Sequence, residues 1–156
     1  MEDWKTIYEV SGTLCKDFIG QISYTVCLDK EYREMDIIFN FGPRHFSKED
    51  VTPALRQELM RFCEREYGLT AATPEELDRA IYSEMKTELH TLASLNGEFI
   101  GGVHRQLETR HMYFSAEEAT EGCIPQPVIE GVLRVTVLAF SVLLDNTHYT
   151  LTVRTR

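Results

Sequence analysis

Residues 133–144 read LRVTVLAFSVLL. Leu133, Val135 and Val137 alternate with Arg134 and Thr136; the phase then slips, so that the large apolar residues fall at Leu138, Phe140, Val142 and Leu144, with Ala139 and Ser141 between them. As one straight strand the segment is apolar on both faces, because successive side chains point to opposite sides. Leaving Leu138, Phe140, Val142 and Leu144 in water would forgo roughly 1.5 to 3 kcal/mol each, a sum comparable with the ~5 to 15 kcal/mol stability of a whole domain. Something must cover them. A bulge near Val137-Leu138 would insert one extra residue and return both halves to the same core, and this is the expected arrangement. A straight strand would instead need a second layer, supplied by a partner subunit or a bound apolar ligand.

The rest of the chain limits what that core can be. Its 156 residues are enough for one domain with a real interior, so a single α+β domain spanning 1–156 is expected. With 43% hydrophobic and 26% charged residues, the composition is that of an ordinary globular protein. The opening MEDWKTIYEV is acidic where a secretory signal is basic and then apolar. The longest apolar run, Leu138 to Leu144 broken by Ser141, is far shorter than the ~20 residues of a membrane-spanning helix. The expectation is a cytoplasmic protein without a membrane partner. A formal charge of -9 argues against nucleic acid, whose binding draws on cationic contacts to phosphate. Cys15, Cys27, Cys63 and Cys123 form no C-x-x-C pair and none neighbours a histidine at metal-site spacing, so reduced thiols, no metal and no cofactor are expected.

Three strands are predicted first. Trp4, Thr6, Tyr8 and Val10 share one face of a strand ending near Gly12 to Leu14. Ile22, Tyr24, Val26 and Leu28 share a face of the second, and Met35, Ile37, Phe39 and Phe41 share a face of the third, which stops at Gly42-Pro43. The short polar turns between them predict an antiparallel meander. Two helices follow, opened by Thr52-Pro53 and by Thr73-Pro74 with Glu76 as the partner of a capping box. The first carries Leu55, Leu59, Phe62, Cys63 and Tyr67 to a stop at Gly68; the second carries Leu77, Ile81, Met85, Leu89 and Leu92 to a stop at Asn96-Gly97, roughly 33 Å of helix. A hairpin of Val103 to Leu107 with Arg110 to Phe114, a long acidic loop SAEEATEGCIPQPVIEG, and a final hairpin of LRVTVLAFSVLL with HYTLTVRTR complete the reading.

The fold class expected is therefore α+β: a curved antiparallel sheet of about six or seven strands, in the order βββ-αα-ββββ, packed on two central helices and able to close part-way into a barrel or cone. A pocket between sheet and helix would be lined by Tyr24, Phe39, Phe140 and Tyr149. The densest group of polar side chains is HRQLETRHMY. There His104, Arg105, Arg110 and His111 are candidate ligand-binding residues, able to hold a carboxylate or phosphate or, beside Glu108 or Tyr113, to move a proton. An exposed polar hairpin accounts for the same residues, since alternation puts Arg105 and His111 on one face and His104, Glu108 and Arg110 on the other. Gly101-Gly102 reads as a bulge or turn, and Glu117, Glu118 and Glu121 as a solvated loop without the spacing of a calcium site. His45 and His148 have no partner in sequence. No G-x-S-x-G, P-loop or H-E-x-x-H pattern occurs.

Three functions fit this reading. The first is a non-enzymatic binding or adaptor protein that meets a protein partner, or a second copy of itself, through an acidic surface and exposed strand edges. The second is a carrier or sensor of a small apolar molecule in the sheet–helix pocket. The third is a cofactor-independent enzyme using His104 or His111.

Overall fold

The computed structural model describes residues 3–68, 72–104 and 107–156. Its elements are β1 (Lys5–Leu14), β2 (Gly20–Cys27), β3 (Glu34–Gly42), α1 (Pro53–Tyr67), α2 (Pro74–Arg79), β4 (Glu88–Leu95), β5 (Glu98–Val103), β6 (Thr109–Ser115), β7 (Val132–Ser141) and β8 (Thr147–Thr155). The chain is mixed α+β with antiparallel strands, as expected. The single curved sheet of six or seven strands is replaced, among the described residues, by eight strands in two open four-stranded sheets, sheet A ordered β1-β8-β3-β6 and sheet B ordered β2-β7-β4-β5. This is the strand order of a jelly roll, two interlocked Greek keys with helices inserted between β3 and β4.

The order overturns both the expected meander and the expected final hairpin. Strands β1, β2 and β3 alternate between sheets, and β7 and β8 lie in opposite sheets. A turn of five or six residues can close a hairpin or span the ~10 Å between packed sheets, so its length does not separate the two. Strands β5 and β6 also belong to opposite sheets, which removes the predicted 103–107/110–114 hairpin. Among the described strands, β4 and β5 alone are successive neighbours in one sheet, joined at Asn96 (φ 52°) and Gly97 (φ 87°). Positive φ at both positions is what a two-residue type I′ hairpin requires.

That hairpin also corrects the long second helix. Helix α2 begins as expected: the Thr73 side chain accepts from the Glu76 N–H, and the Glu76 carboxylate accepts from the Thr73 N–H at 2.9 Å. It widens into a π-turn over Ala80–Glu84, where the Met85 N–H donates to the Ala80 carbonyl, and ends there. Residues 88–95 are strand, with Leu89, Thr91, Ala93 and Leu95 buried. The four-residue spacing of Leu77, Ile81, Met85 and Leu89 mimics a helical stripe across a helix end.

The strongest sequence signals hold. Met35, Ile37, Phe39 and Phe41 of β3 point into the core between the sheets, where they meet Leu89, Leu133, Val135, Leu151 and Val153. Ile22, Tyr24, Val26 and Leu28 pack against the same core. In β1, a register shift between Thr6 and Tyr8 breaks the expected common face: Tyr8 and Val10 face the core, whereas the Trp4 ring lies under the guanidinium groups of Arg154 and Arg156. Helix α1 is capped by Thr52 and terminated by Gly68 at φ 66°. The two helices form a satellite cluster through Phe46, Cys63, Leu77, Ile81 and Met85, seated against Leu143 and Leu144 where the chain leaves β7. Among the described residues no helix is long and apolar enough to cross a membrane.

Candidate functional site

The segment 133–144 answers its own question in an unexpected way. Leu133, Val135, Val137 and Ala139 are buried without a break in phase, so no bulge occurs at Val137-Leu138. The irregularity lies further on: Glu88 pairs with Ser141 and Leu89 with Ala139, leaving Phe140 as the extra residue of β7. Alternation along β7 puts Phe140 on the outer face with Thr136 and Leu138. Phe140 is 52% exposed and forms one wall of a groove of about 440 Å³.

Helix α1 supplies the facing wall with Leu55, Leu59 and Phe62, while Val142 and Leu143 line the groove from the end of β7 and Ile19, 75% exposed, lines it from the β1–β2 turn. The charged groups around it are Lys16, Lys86, Asp17, Glu58, Glu84 and Glu88, an excess of carboxylates. With Tyr67 of α1, 60% exposed, Ile19 and Phe140 are the exposed large apolar residues of its lining.

A histidine pair adjoins the groove. His90 on β4 and His104, the residue that follows β5, lie one step beyond the Thr91–Val103 pair that ends the β4–β5 ladder. Their Nδ1 atoms are 3.1 Å apart. The other nitrogen of His90, Nε2, lies 3.1 Å from a Glu88 carboxylate oxygen, and its ring packs 4.7 Å from that of Phe140. Glu88 and Phe140 thus belong both to the groove and to the histidine cluster.

The four polar residues singled out in the sequence are not brought together. His104 is in the cluster just described. Arg105 lies outside the described residues. Arg110 points inward between the sheets, where its Nε donates to the Leu107 carbonyl at 2.9 Å, its Nη1 donates to the Leu89 carbonyl, and its guanidinium stacks 5.3 Å from the Phe41 ring. Burial, and then the charge of Arg44, pull its pKa down to about 10, so it remains a cation at neutral pH. His111 lies on the opposite face of β6, 53% exposed, with Nδ1 3.1 Å from Asp36, which also accepts from Arg154 at 2.6 Å. Two strand faces and two sheets separate these groups. His45 bonds the Met85 carbonyl and His148 the Thr13 hydroxyl.

The aromatic set divides as well. Phe140 lines the groove, whereas Phe39, Tyr149 and Tyr24 pack in series inside the sandwich, with ring centroids 5.9 Å and 6.5 Å apart. The Tyr24 and Tyr149 hydroxyls bond each other, and burial followed by that bond pushes the Tyr149 phenol up. Gly12 makes room: a Cβ there would stand 2.3 Å from the Tyr149 ring. Two sheets packed face to face fill the space between them with side chains, and these three residues form that filling.

A second depression of about 420 Å³ is lined by Glu31, Glu34, Tyr113, Glu117 and Glu118. Glu34 accepts from Arg156 at 2.8 Å and from the Tyr113 hydroxyl at 2.7 Å. These bonds, Arg156 first, hold its carboxyl below the usual carboxylate range. A depressed pKa contributes stability above the ordinary value and loses it as pH falls through the depressed one. Glu34→Gln is therefore expected to cost stability at neutral pH and progressively less below about pH 4, as read by urea unfolding across that range. Partial solvation of the pair keeps the effect small. Among the described residues, no group of three or more His, Cys, Asp or Glu side chains is placed to hold a metal ion.

A family model matches residues 2–156 of the chain. The chain belongs to DUF6669, a family of unknown function. No curated protein and no solved structure matches it. In this DUF6669 chain, sequence reasoning missed His90 and Glu88 because it placed both inside a helix. The signal that could have found them was Asn96-Gly97 after the alternating Leu89, Thr91, Ala93 and Leu95, the pattern of a tight hairpin.

Proposed function

We propose that the protein is a small binding protein whose groove between α1 and the end of β7 takes an apolar ligand with a neutral or cationic end. The observation that carries this reading is the exposed Phe140 facing Leu55, Leu59 and Phe62 across about 440 Å³, a volume within the range of small-molecule sites. The carboxylate excess at the rim disfavours an anionic ligand. Neither His104 nor His111 lines the groove, so the catalytic reading has no support of this kind.

Native mass spectrometry of the purified protein, repeated after denaturation, tests the proposal together with titration of the neutral apolar dye Nile red. The expected result is added mass released on denaturation or, for an empty groove, saturable dye uptake that Phe140→Glu abolishes. A bare 18.0 kDa chain that takes up no dye, or uptake unaffected by Phe140→Glu, overturns it.

A protein partner is the second reading, favoured by one strand edge. Chain 116–124 runs along the outer edges of β5 and β6, with Ile124 N–H donating to Ile100 and bridges from Cys123 to Gly101 and from Ala119 to Phe114. Strand β1 carries a bulge and the charges of Lys5 and Glu9. Strand β2, GQISYTVC, has no charge, no proline and an unbroken register with β7, so it lacks the usual protections against strand addition. Leu28 donates to Gly131 across the ladder, and by alternation the N–H groups of Gln21, Ser23, Thr25 and Cys27 face outward. A second copy or another chain adding there would be blocked by Thr25→Pro, which spares the β2–β7 bonds.

A further inference from the structure

We propose that His90 and His104 form a binding site for a divalent late first-row transition-metal ion, with Glu88 positioning His90 from behind. Glu88 and Phe140 are shared with the groove, but the histidine pair needs no ligand in it. The two imidazoles face each other, Nδ1 to Nδ1 at 3.1 Å with the ring planes at 71°. An ion at the usual metal–imidazole distance of about 2.0 to 2.1 Å from both nitrogens would close an angle of roughly 100°, between the octahedral and tetrahedral values. Two ring nitrogens converging at that separation match the bite of a chelate.

The surroundings match too. A metal-binding histidine characteristically donates its other ring N–H to a carboxylate, which fixes the tautomer and aims the free lone pair at the ion. Glu88 meets His90 Nε2 in this way at 3.1 Å, leaving Nδ1 directed at His104. The backbone brings them together, since His90 lies on β4 and His104 directly follows the last residue of β5 in the hairpin closed at Asn96-Gly97. The His90 side chain is 16% exposed and wedged against Phe140, whereas His104 is open to solvent. Water can complete the coordination on the His104 side. Two imidazoles with water suit Cu²⁺, Ni²⁺ or Zn²⁺ and not the oxygen-seeking Mg²⁺ or Ca²⁺. The sequence expectation of no metal rested on cysteine–histidine spacing, and a cross-strand pair has no such spacing.

The competing description is a simple hydrogen bond, one Nδ1–H donating to the other Nδ1. Calorimetric titration with Ni²⁺, which avoids oxidising the exposed thiols of Cys15 and Cys27, separates the two. The wild-type chain is expected to take up one Ni²⁺ at this site. His104→Gln, a change at an exposed position, is expected to weaken uptake by at least about tenfold, and Glu88→Gln by about 10- to 100-fold. His111→Gln, on the far sheet, should leave it unchanged, with circular dichroism confirming that each variant is folded. No uptake by the wild type, wild-type affinity in folded His104→Gln, or an equal loss in His111→Gln overturns the proposal.

Discussion

Truncating Phe39 to alanine is expected to lower the unfolding free energy by about 3 to 5 kcal/mol, the usual loss for a fully buried aromatic side chain. Phe39 is 1% exposed on β3, the strand that pairs with both β6 and β8. Its ring meets those of Phe41 and Tyr149 at 5.9 Å and lies 6.0 Å from the Arg110 guanidinium. The neighbours cannot collapse into the space, because Tyr149 is pinned by its bond to Tyr24 and by the backbone of Gly12 behind it. A loss of this size is a large fraction of a domain's ~5 to 15 kcal/mol. The denaturant midpoint in urea is the readout, and a shift equivalent to less than about 1 kcal/mol would mean that the residue is not enclosed as described.

Arg110 is the second position where a large effect is expected, and two opposing contributions set its size. Removing the guanidinium leaves the Leu89 and Leu107 carbonyls without their donor, at about 1 to 3 kcal/mol for each one left unsatisfied. It also relieves the cost of holding a charge away from water, visible in the depressed pKa. A cavity is added when the replacement is short. Arg110→Ala is therefore expected to cost about 2 to 4 kcal/mol. Arg110→Met, which fills much of the volume, should recover about 1 kcal/mol or more of that. Equal losses in the two variants would assign the effect to the hydrogen bonds alone. A neutral or stabilising Arg110→Met would show that desolvation of the charge outweighs them.

Strands were legible where one face alone is apolar. Met35, Ile37, Phe39 and Phe41 announced β3, and Ile22, Tyr24 and Val26 announced β2, because alternation at period two has no other economical reading. The helix starts at Thr52 and Thr73 were legible because a capping side chain acts locally. Connectivity was hidden, since nothing in a five-residue turn distinguishes a hairpin from a crossing between sheets. Residues 88–95 were misread because Leu89 and Leu92 extend the spacing set by Leu77, Ile81 and Met85, and tertiary pairing with β7 overrides that spacing. The groove depended on two such facts at once. The unbroken phase of β7 through Ala139 puts Phe140 outside, and the early end of α2 releases Glu88 and His90 into a strand. The buried orientation of Arg110 was hidden for a related reason: on a strand in a polar stretch, only the partner sheet reveals which face is inside.

The order of sheet A carries a consequence for how the molecule is made. Its strand β8 pairs with β1 on one side and β3 on the other, yet it follows every other strand in the chain. During synthesis β1 and β3 emerge early and wait without the strand that joins them. Their facing strand edges stay unpaired until translation has passed residue 155. Such late, long-range closure slows folding and exposes the nascent chain to misassociation. The growing polypeptide has the most to gain from a chaperone's hold in the interval before β8 appears.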